Sequence, residues 1–270
     1  MSPITMLFVP ADRAERFAKA AASGADAIVI DLEDAVAPES KDAARRNIIA
    51  CDLNPERVYI RVNPSNTADH QSDIEGIEQT AFRNIMLAKA EHVADLDALV
   101  MHLGPATRVV PLVETAWGLE NVRALASHAS VPFLAFGSLD FALDLGCEHT
   151  PEALAFARYL LVFHSRLAQK SPPLDGVTVA IEDAPTIRAD AARGKDMGFG
   201  GKLLIHPKQI KPVLDVFTPS EEELAWALSV RQAIVEAGSS AVRVNGQMVD
   251  RPVILRAERI LSRSLETTQV

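Results

Sequence analysis

The sequence predicts an α/β protein: a closed (β/α)8 TIM barrel over residues 1–215, followed by a C-terminal helical extension over residues 216–270. Three observations predict it. Short apolar runs alternate with longer amphipathic stretches almost from end to end. Runs such as Ala27–Ile30 and Val109–Val113 are apolar on both faces, as strands must be when helices or a packed barrel interior cover both sides. The first run is followed by Pro10-Ala11-Asp12-Arg13 instead of GxGxxG, so the rival open dinucleotide sheet loses its main support.

The expected strands are Thr5–Pro10, Ala27–Glu33, Val58–Asn63, Asn84–Lys89, Arg108–Glu114, Pro132–Gly137, Leu174–Val177 and Lys202–His206. Helices are expected at Asp12–Ser23, Glu39–Cys51, His92–His102, Trp117–Ala129, Pro151–Gln169 and Ala184–Met197. Eight strands with connecting helices in roughly 250 residues match the rhythm of a barrel. Beyond the eighth strand, Pro219-Ser220-Glu221-Glu222-Glu223 reads as a helix start, with a Ser cap and first-turn carboxylates. That helix is expected to run to Glu236. Val242–Val244, an Asn245-Gly246 turn and a helix over Pro252–Leu265 follow.

Composition narrows the function classes. Apolar residues make up 48% and charged residues 23%, which is ordinary for a globular chain. A net charge of −9 argues against non-specific nucleic-acid binding, which needs a surplus of Lys and Arg. No window reaches the roughly 18–20 apolar residues of a membrane span. Met1 to Pro10 runs into a strand with no basic leader, which reads against a secretory signal. Cys51 and Cys147 show no CxxC spacing, so neither a disulfide framework nor a zinc site is expected, and a cytoplasmic location follows.

Chemistry in a barrel collects where strands end. Here several apolar strands end in charge: Asp31-Leu32-Glu33-Asp34 after strand two, Arg61 in strand three, Glu114 after strand five and Asp140 after strand six. Carboxylates clustered at one mouth are costly unless a cation offsets them. Glu114 and Asp140 form the natural pair for Mg2+, which takes oxygen ligands and keeps waters. The alternative is that each begins or caps a helix. Arg61 either clamps a substrate carboxylate or enolate oxygen, or pairs structurally with Glu33. Alternation sends Asp31 and Glu33 the same way, so at least one of them serves structure. His206, closing strand eight, reads as structural.

Taken together, these segments resemble the citrate lyase β-subunit family of the HpcH/HpaI aldolase superfamily, related to malyl-CoA and citramalyl-CoA lyases. The resemblance is carried by Leu7-Phe8-Val9-Pro10, Ser23-Gly24-Ala25-Asp26, Asp31-Leu32-Glu33-Asp34-Ala35-Val36, Arg61-Val62-Asn63 and Val113-Glu114-Thr115-Ala116-Trp117-Gly118. Phe136-Gly137-Ser138-Leu139-Asp140-Phe141, Asp144-Leu145-Gly146 and Gly200-Gly201-Lys202-Leu203-Leu204-Ile205-His206-Pro207 continue it over nearly the whole chain. It implies a barrel assembled as a homotrimer or dimer of trimers, with Mg2+ on Glu114 and Asp140 and Arg61 contacting substrate. It also implies that the C-terminal segment reaches a neighbouring subunit. Gly246 to Pro252 looks like that segment and maps a catalytic acid to Asp250, whose alternative is an N-cap before Pro252. Arg13, Arg16 and Lys19 either meet the CoA phosphates or are solvated helix charges. One departure stands out: Ala11 occupies a position where the family commonly has Gly.

The implied activity is a magnesium-dependent carbon–carbon lyase that converts a 3-hydroxy-3-carboxy acyl-CoA into an acyl-CoA and a 2-oxo acid, or the reverse. Glu33 would orient Arg61. The rival readings are a citrate lyase β subunit acting on an acyl carrier protein-linked citryl group, an aldolase for free 2-oxo acids, and a non-catalytic CoA-binding protein.

Overall fold

Eight parallel strands close on themselves in sequence order: β1 (Thr5–Pro10), β2 (Ala27–Asp31), β3 (Val58–Val62), β4 (Asn84–Leu87), β5 (Arg108–Val113), β6 (Ala135–Phe136), β7 (Leu174–Asp175) and β8 (Gly201–Leu204). The computed structural model describes residues 2–237, 242–244 and 247–267. The helices between strands are α1 (Phe17–Ala21), α2 (Lys41–Ile49), α3 (Ala68–Glu78), α4 (Val93–Leu103), α5 (Ala116–Glu120), α6 (Val122–Ser127), α7 (Ser138–Leu145), α8 (Ala155–Leu167) and α9 (Ala184–Met197). After β8 come α10 (Ile210–Phe217), α11 (Glu221–Ala237), the strands β9 (Val242–Val244) and β10 (Gln247–Val249), and α12 (Arg251–Thr267). The chain divides into two compact units, Met1–Leu214 and Asp215–Val270. Among the described residues no helix is long and apolar enough to cross a membrane.

In the first unit, inward positions of successive strands interdigitate as an apolar plug: Met6, Val29, Tyr59, Met86, Leu112, Ala135, Leu174 and Leu203, with Phe133 just before β6. Because side chains alternate along a strand, the next inward positions are Asp31, Arg61 and Glu114, all buried. The same alternation sends Asp175 and Lys202 outward, where Arg158 of α8 and Asp190 of α9 meet them. The plug supplies the hydrophobic stabilisation, and the charged layer at the carboxyl ends of the strands stands on top of it.

All eight expected strands are present; seven of them end one or two residues earlier than the runs suggest, and β6 begins at Ala135, three residues late. The expected helix over Trp117–Ala129 is broken at Asn121, whose side chain donates to Glu91 O at 2.9 Å. Asp12–Ser23 becomes a 3-10 turn at Ala14–Arg16 followed by the short α1. Helices α3, α7 and α10 were not anticipated. The α3 sequence is polar, and its packed face includes the buried Asp73, which bonds Arg45 and Asn63. Gly198, at φ +104°, terminates α9 in the left-handed region that favours glycine.

In the second unit, Ser220 Oγ accepts Glu223 N at 3.1 Å and Glu223 Oε2 accepts Ser220 N at 3.0 Å, a capping box that starts α11. Ala227, Val230, Val249 and Ala257 form its small core, and the Arg256 guanidinium lies 4.9 Å from the Trp226 ring. The Asn245-Gly246 turn lies outside the described residues.

Barrel closure depends on the β1–β8 contact, with Met6 opposite Leu203. A methyl group on Gly201 would sit 2.3 Å from Ile4 O and 2.6 Å from its Cα. Backbone cannot swing away as a side chain can. Gly201→Ala is therefore expected to cost about 3 kcal/mol, the upper end of overpacking penalties, read as a lower midpoint in urea unfolding.

Candidate active site at the barrel mouth

Arg61 and Asp31 are register partners on adjacent strands. Arg61 Nε donates to Asp31 Oδ1 at 2.7 Å and Nη2 to Oδ2 at 2.6 Å, a bidentate pair inside the mouth. The Asp31 oxygens also accept the N–H groups of Glu33 (2.9 Å) and Ala35 (3.2 Å), which shapes the loop after β2. Asp31 is thus the structural member of the acidic pair. Burial disfavours the Arg61 charge, but Asp31, Glu33 and Glu114 outweigh it and raise its pKa. The guanidinium also lies 4.9 Å from the Phe8 ring.

Glu33 reaches two cations. Its Oε2 is 2.8 Å from Arg61 Nη1, without the alignment of a hydrogen bond, and its Oε1 accepts Lys89 Nζ at 2.8 Å. Burial raises the Glu33 pKa, with Arg61 and Lys89 opposing. Lys41, buried on α2, fixes the same loop by donating to Leu32 O and Asn63 Oδ1, both at 2.7 Å.

Glu114 follows β5 and is 1% exposed. It does not cap α5: Thr115 Oγ1 accepts Gly118 N, and Asp144 Oδ2 accepts Ala116 N at 2.7 Å. Its Oε1 accepts the Lys89 N–H at 2.6 Å, while Oε2 has no hydrogen-bond donor among the described residues. A Cβ on Gly137 would sit 2.3 Å from that oxygen, so only glycine leaves it room. Burial pushes the Glu114 pKa up to about 8, and Glu33 and Asp140 add to the rise against Arg61 and the Lys89 N–H. Asp140 is half-buried in the first turn of α7.

Four carboxylates, Asp31, Glu33, Glu114 and Asp140, therefore converge with two cations, Arg61 and Lys89. Among the described residues no group of three or more His, Cys, Asp or Glu side chains is arranged to hold a metal. The donor set still fits a hard divalent ion that keeps waters and substrate as its other ligands, because Glu114 Oε2 is a buried oxygen in need of positive charge. A cavity of about 470 Å³ adjoins the mouth, lined by Glu33, Asp34, Lys41, Asn63, Thr67 and Lys89.

Other expected residues lie elsewhere. Arg13, Arg16 and Lys19 are exposed around the first loop, and Glu15 is 4.0 Å from Arg13 and 3.9 Å from Arg16. Ala11 is fully buried; its N–H donates to Asp31 O and its carbonyl accepts Asn47 Nδ2, both at 2.9 Å. His206 accepts Lys208 N at 3.1 Å as a helix cap, a structural role. Asp250 is exposed in the second unit and accepts Val253 N at 3.4 Å at the start of α12. Lys89 escaped sequence reading. Its φ of +45° turns its N–H to Glu114 and its side chain to Glu33, and a Lys ending a strand carries no signal of that turn.

Fold and mouth together define a (β/α)8-barrel protein with a carboxylate-rich site at the carboxyl ends of its strands. The chain belongs to the HpcH/HpaI aldolase/citrate lyase family, whose model matches residues 4–207. It is 38% identical over 268 residues to a citrate lyase subunit beta-like protein of Mycobacterium tuberculosis (97% of this chain, 96% of that one). A (3S)-malyl-CoA thioesterase of Cereibacter sphaeroides is 33% identical over 96% of this chain and 94% of its own. The crystal structure of CitE from M. tuberculosis, in complex with magnesium, acetoacetate and coenzyme A, superposes with a TM-score of 0.86 at 36% identity, covering 96% of this chain and 97% of that one.

The raised Glu114 pKa has a consequence for stability. Between its ordinary value of 4.5 and about 8 the folded state holds a proton that the unfolded state has lost, so stability falls as pH rises through that window. In chelator, Glu114→Gln is expected to remove this part of the decline and to melt higher than the parent above pH 8. Identical pH–melting profiles for the two proteins would contradict the burial argument.

Proposed function

We propose that this chain is a magnesium-dependent carbon–carbon lyase that cleaves a 3-hydroxy-3-carboxylated acyl-CoA into an acyl-CoA and a 2-oxo acid, or joins them. Candidate substrates are citramalyl-CoA, malyl-CoA and a citryl thioester. The observation that carries the reading is the buried, donorless Oε2 of Glu114 among an excess of carboxylates. The magnesium and coenzyme A held by the M. tuberculosis CitE structure support it.

Glu114 and Asp140 would hold the ion, which when bound supplies Lewis-acid polarisation of the substrate oxygens. Cleavage passes the hydroxyl proton to water, the hydroxyl carbon becomes the carbonyl of the 2-oxo acid as the carbon–carbon bond breaks, and the electron pair of that bond passes to the acyl carbon and thioester oxygen. Arg61 has five N–H donors. Those not committed to Asp31 and Glu33 are available to the developing charge on that oxygen. Glu33 orients Arg61, and Lys89 braces both Glu33 and Glu114. Asp250 of a neighbouring copy returns a proton to the acyl carbon; its exposure and its long 3.4 Å capping bond leave it available. Arg13, Arg16 and Lys19 meet the CoA phosphates.

A homotrimer, or a dimer of trimers, fits the surface of α8. Phe156, Tyr159, Phe163 and Leu167 are 56–69% exposed along it, at spacings that form one stripe. The free thiols Cys51 and Cys147 suit a cytoplasmic location. A second reading, hydrolysis of the same thioester, is favoured by the relative named (3S)-malyl-CoA thioesterase.

Purified protein is expected to convert at least one of citramalyl-CoA, malyl-CoA and citryl-CoA to an acyl-CoA and a 2-oxo acid, only with Mg2+. Free CoA plus the uncleaved hydroxy acid would mark the thioesterase instead, and no turnover of any thioester would remove both readings. Asp140→Ala should lower Mg2+-dependent turnover by at least about 100-fold, since losing an outer partner of a metal site alone costs about 10–100-fold. Phe163→Asp should shift sedimentation to smaller species with the circular dichroism spectrum retained; unchanged sedimentation would move the interface off α8.

A further inference from the structure

Behind β7, on the outer side of the barrel wall, a second group of buried charges lies between α8 and α9. Asp175 accepts Arg158 Nε at 2.9 Å and Gly176 N at 2.8 Å, with Lys202 Nζ 3.9 Å away. Asp190 accepts Thr178 Oγ1 at 2.6 Å, Lys202 Nζ at 2.7 Å and Arg193 Nη1 at 2.8 Å. The buried cations Arg158 and Lys202 balance the two carboxylates, both of which are already engaged, and Arg193 is the solvent-exposed member of the group.

Arg158 is the buried cation with N–H groups to spare. It is 4% exposed, yet among the described residues only its Nε has a hydrogen-bond acceptor. Its guanidinium lies 5.5 Å from the Phe136 ring, which offers no acceptor for the terminal N–H groups. Arg158 lines a cavity of about 340 Å³ with Arg193, Thr186, Thr178 and His149, near the lower size limit of small-molecule sites, about 300 Å³. Pro151, Leu154, Val177, Val179 and Ala189 give the cavity an apolar side, and Thr150 and Asp190, the latter already engaged by Lys202, Arg193 and Thr178, complete the lining. Burial and the charges of Arg158 and Lys202 lower the His149 pKa.

We propose that this cavity binds a short-chain carboxylate, its oxygens on the terminal N–H groups of Arg158 and its aliphatic body against Pro151, Leu154, Val177 and Val179. A planar guanidinium matches a carboxylate in bidentate fashion, and the apolar walls favour a hydrocarbon body over inorganic phosphate. The site is separate from the mouth residues Arg61, Glu33 and Glu114, and does not depend on the lyase reading.

The test is titration calorimetry of the full-length protein with butyrate, and with inorganic phosphate as the comparison anion. Butyrate is expected to bind more tightly than phosphate. Arg158→Lys should weaken butyrate by roughly tenfold or more, as loss of a charge-assisted bidentate contact does. Ala189→Phe, on the exposed face of α9, should fill the cavity and abolish binding while the melting temperature is kept. This second variant decides the matter if Arg158→Lys fails to fold. Absence of butyrate binding to the parent, phosphate binding as tightly as butyrate, or unchanged butyrate binding in Ala189→Phe would each overturn the proposal.

Discussion

The excess of negative charge at the barrel mouth is the constraint on which the site depends. Asp31, Glu33 and Glu114 are each under 5% exposed, and water cannot solvate them as it would on the surface. Arg61 is the internal answer. Its pairing with Asp31 across β2 and β3 holds one carboxylate, and its contact with Glu33 steadies a second. Glu114 is left with a single backbone donor and the raised pKa of a group short of positive charge. The geometry tolerates this because Gly137 has no side chain and because Thr115 and Asp144 cap α5 in place of Glu114.

The same strand alternation creates two ionic layers with different consequences. Inward residues above the apolar plug form the mouth, where charge stays unbalanced. Outward residues one position along, Asp175 and Lys202, join the wall to α8 and α9 through Arg158 and Asp190. There the carboxylates are saturated and the buried charges balance, Arg158 against Asp175 and Lys202 against Asp190, unlike the mouth. Buried ion pairs add little net stability once desolvation is counted. Their value in both places is to fix which side chain faces which cavity.

Much of the barrel was legible because a strand covered on both faces must be apolar, and Thr5–Pro10 and Ala184–Met197 emerged with the expected bounds. Helix α3 was not legible, since its packed face includes Asp73, whose partners Arg45 and Asn63 come from other segments. The two-residue β6 and the immediate start of α7 likewise leave no periodicity to read. At the site, strand-end position drew notice to Arg61, Glu33, Glu114 and Asp140 but left each with a structural alternative, and only the family resemblance implied roles for them.

The chain order of apolar runs and charged strand ends determined the barrel and which carboxylates stand at its mouth, because period and sign are local properties of a sequence. Tertiary structure alone decided how those charges divide. It gave Asp31 to Arg61 through strand register, turned Lys89 back onto Glu33 and Glu114, and left Oε2 of Glu114 without a donor. Each outcome depends on distance and burial among residues 25 to 56 positions apart, which no local pattern encodes.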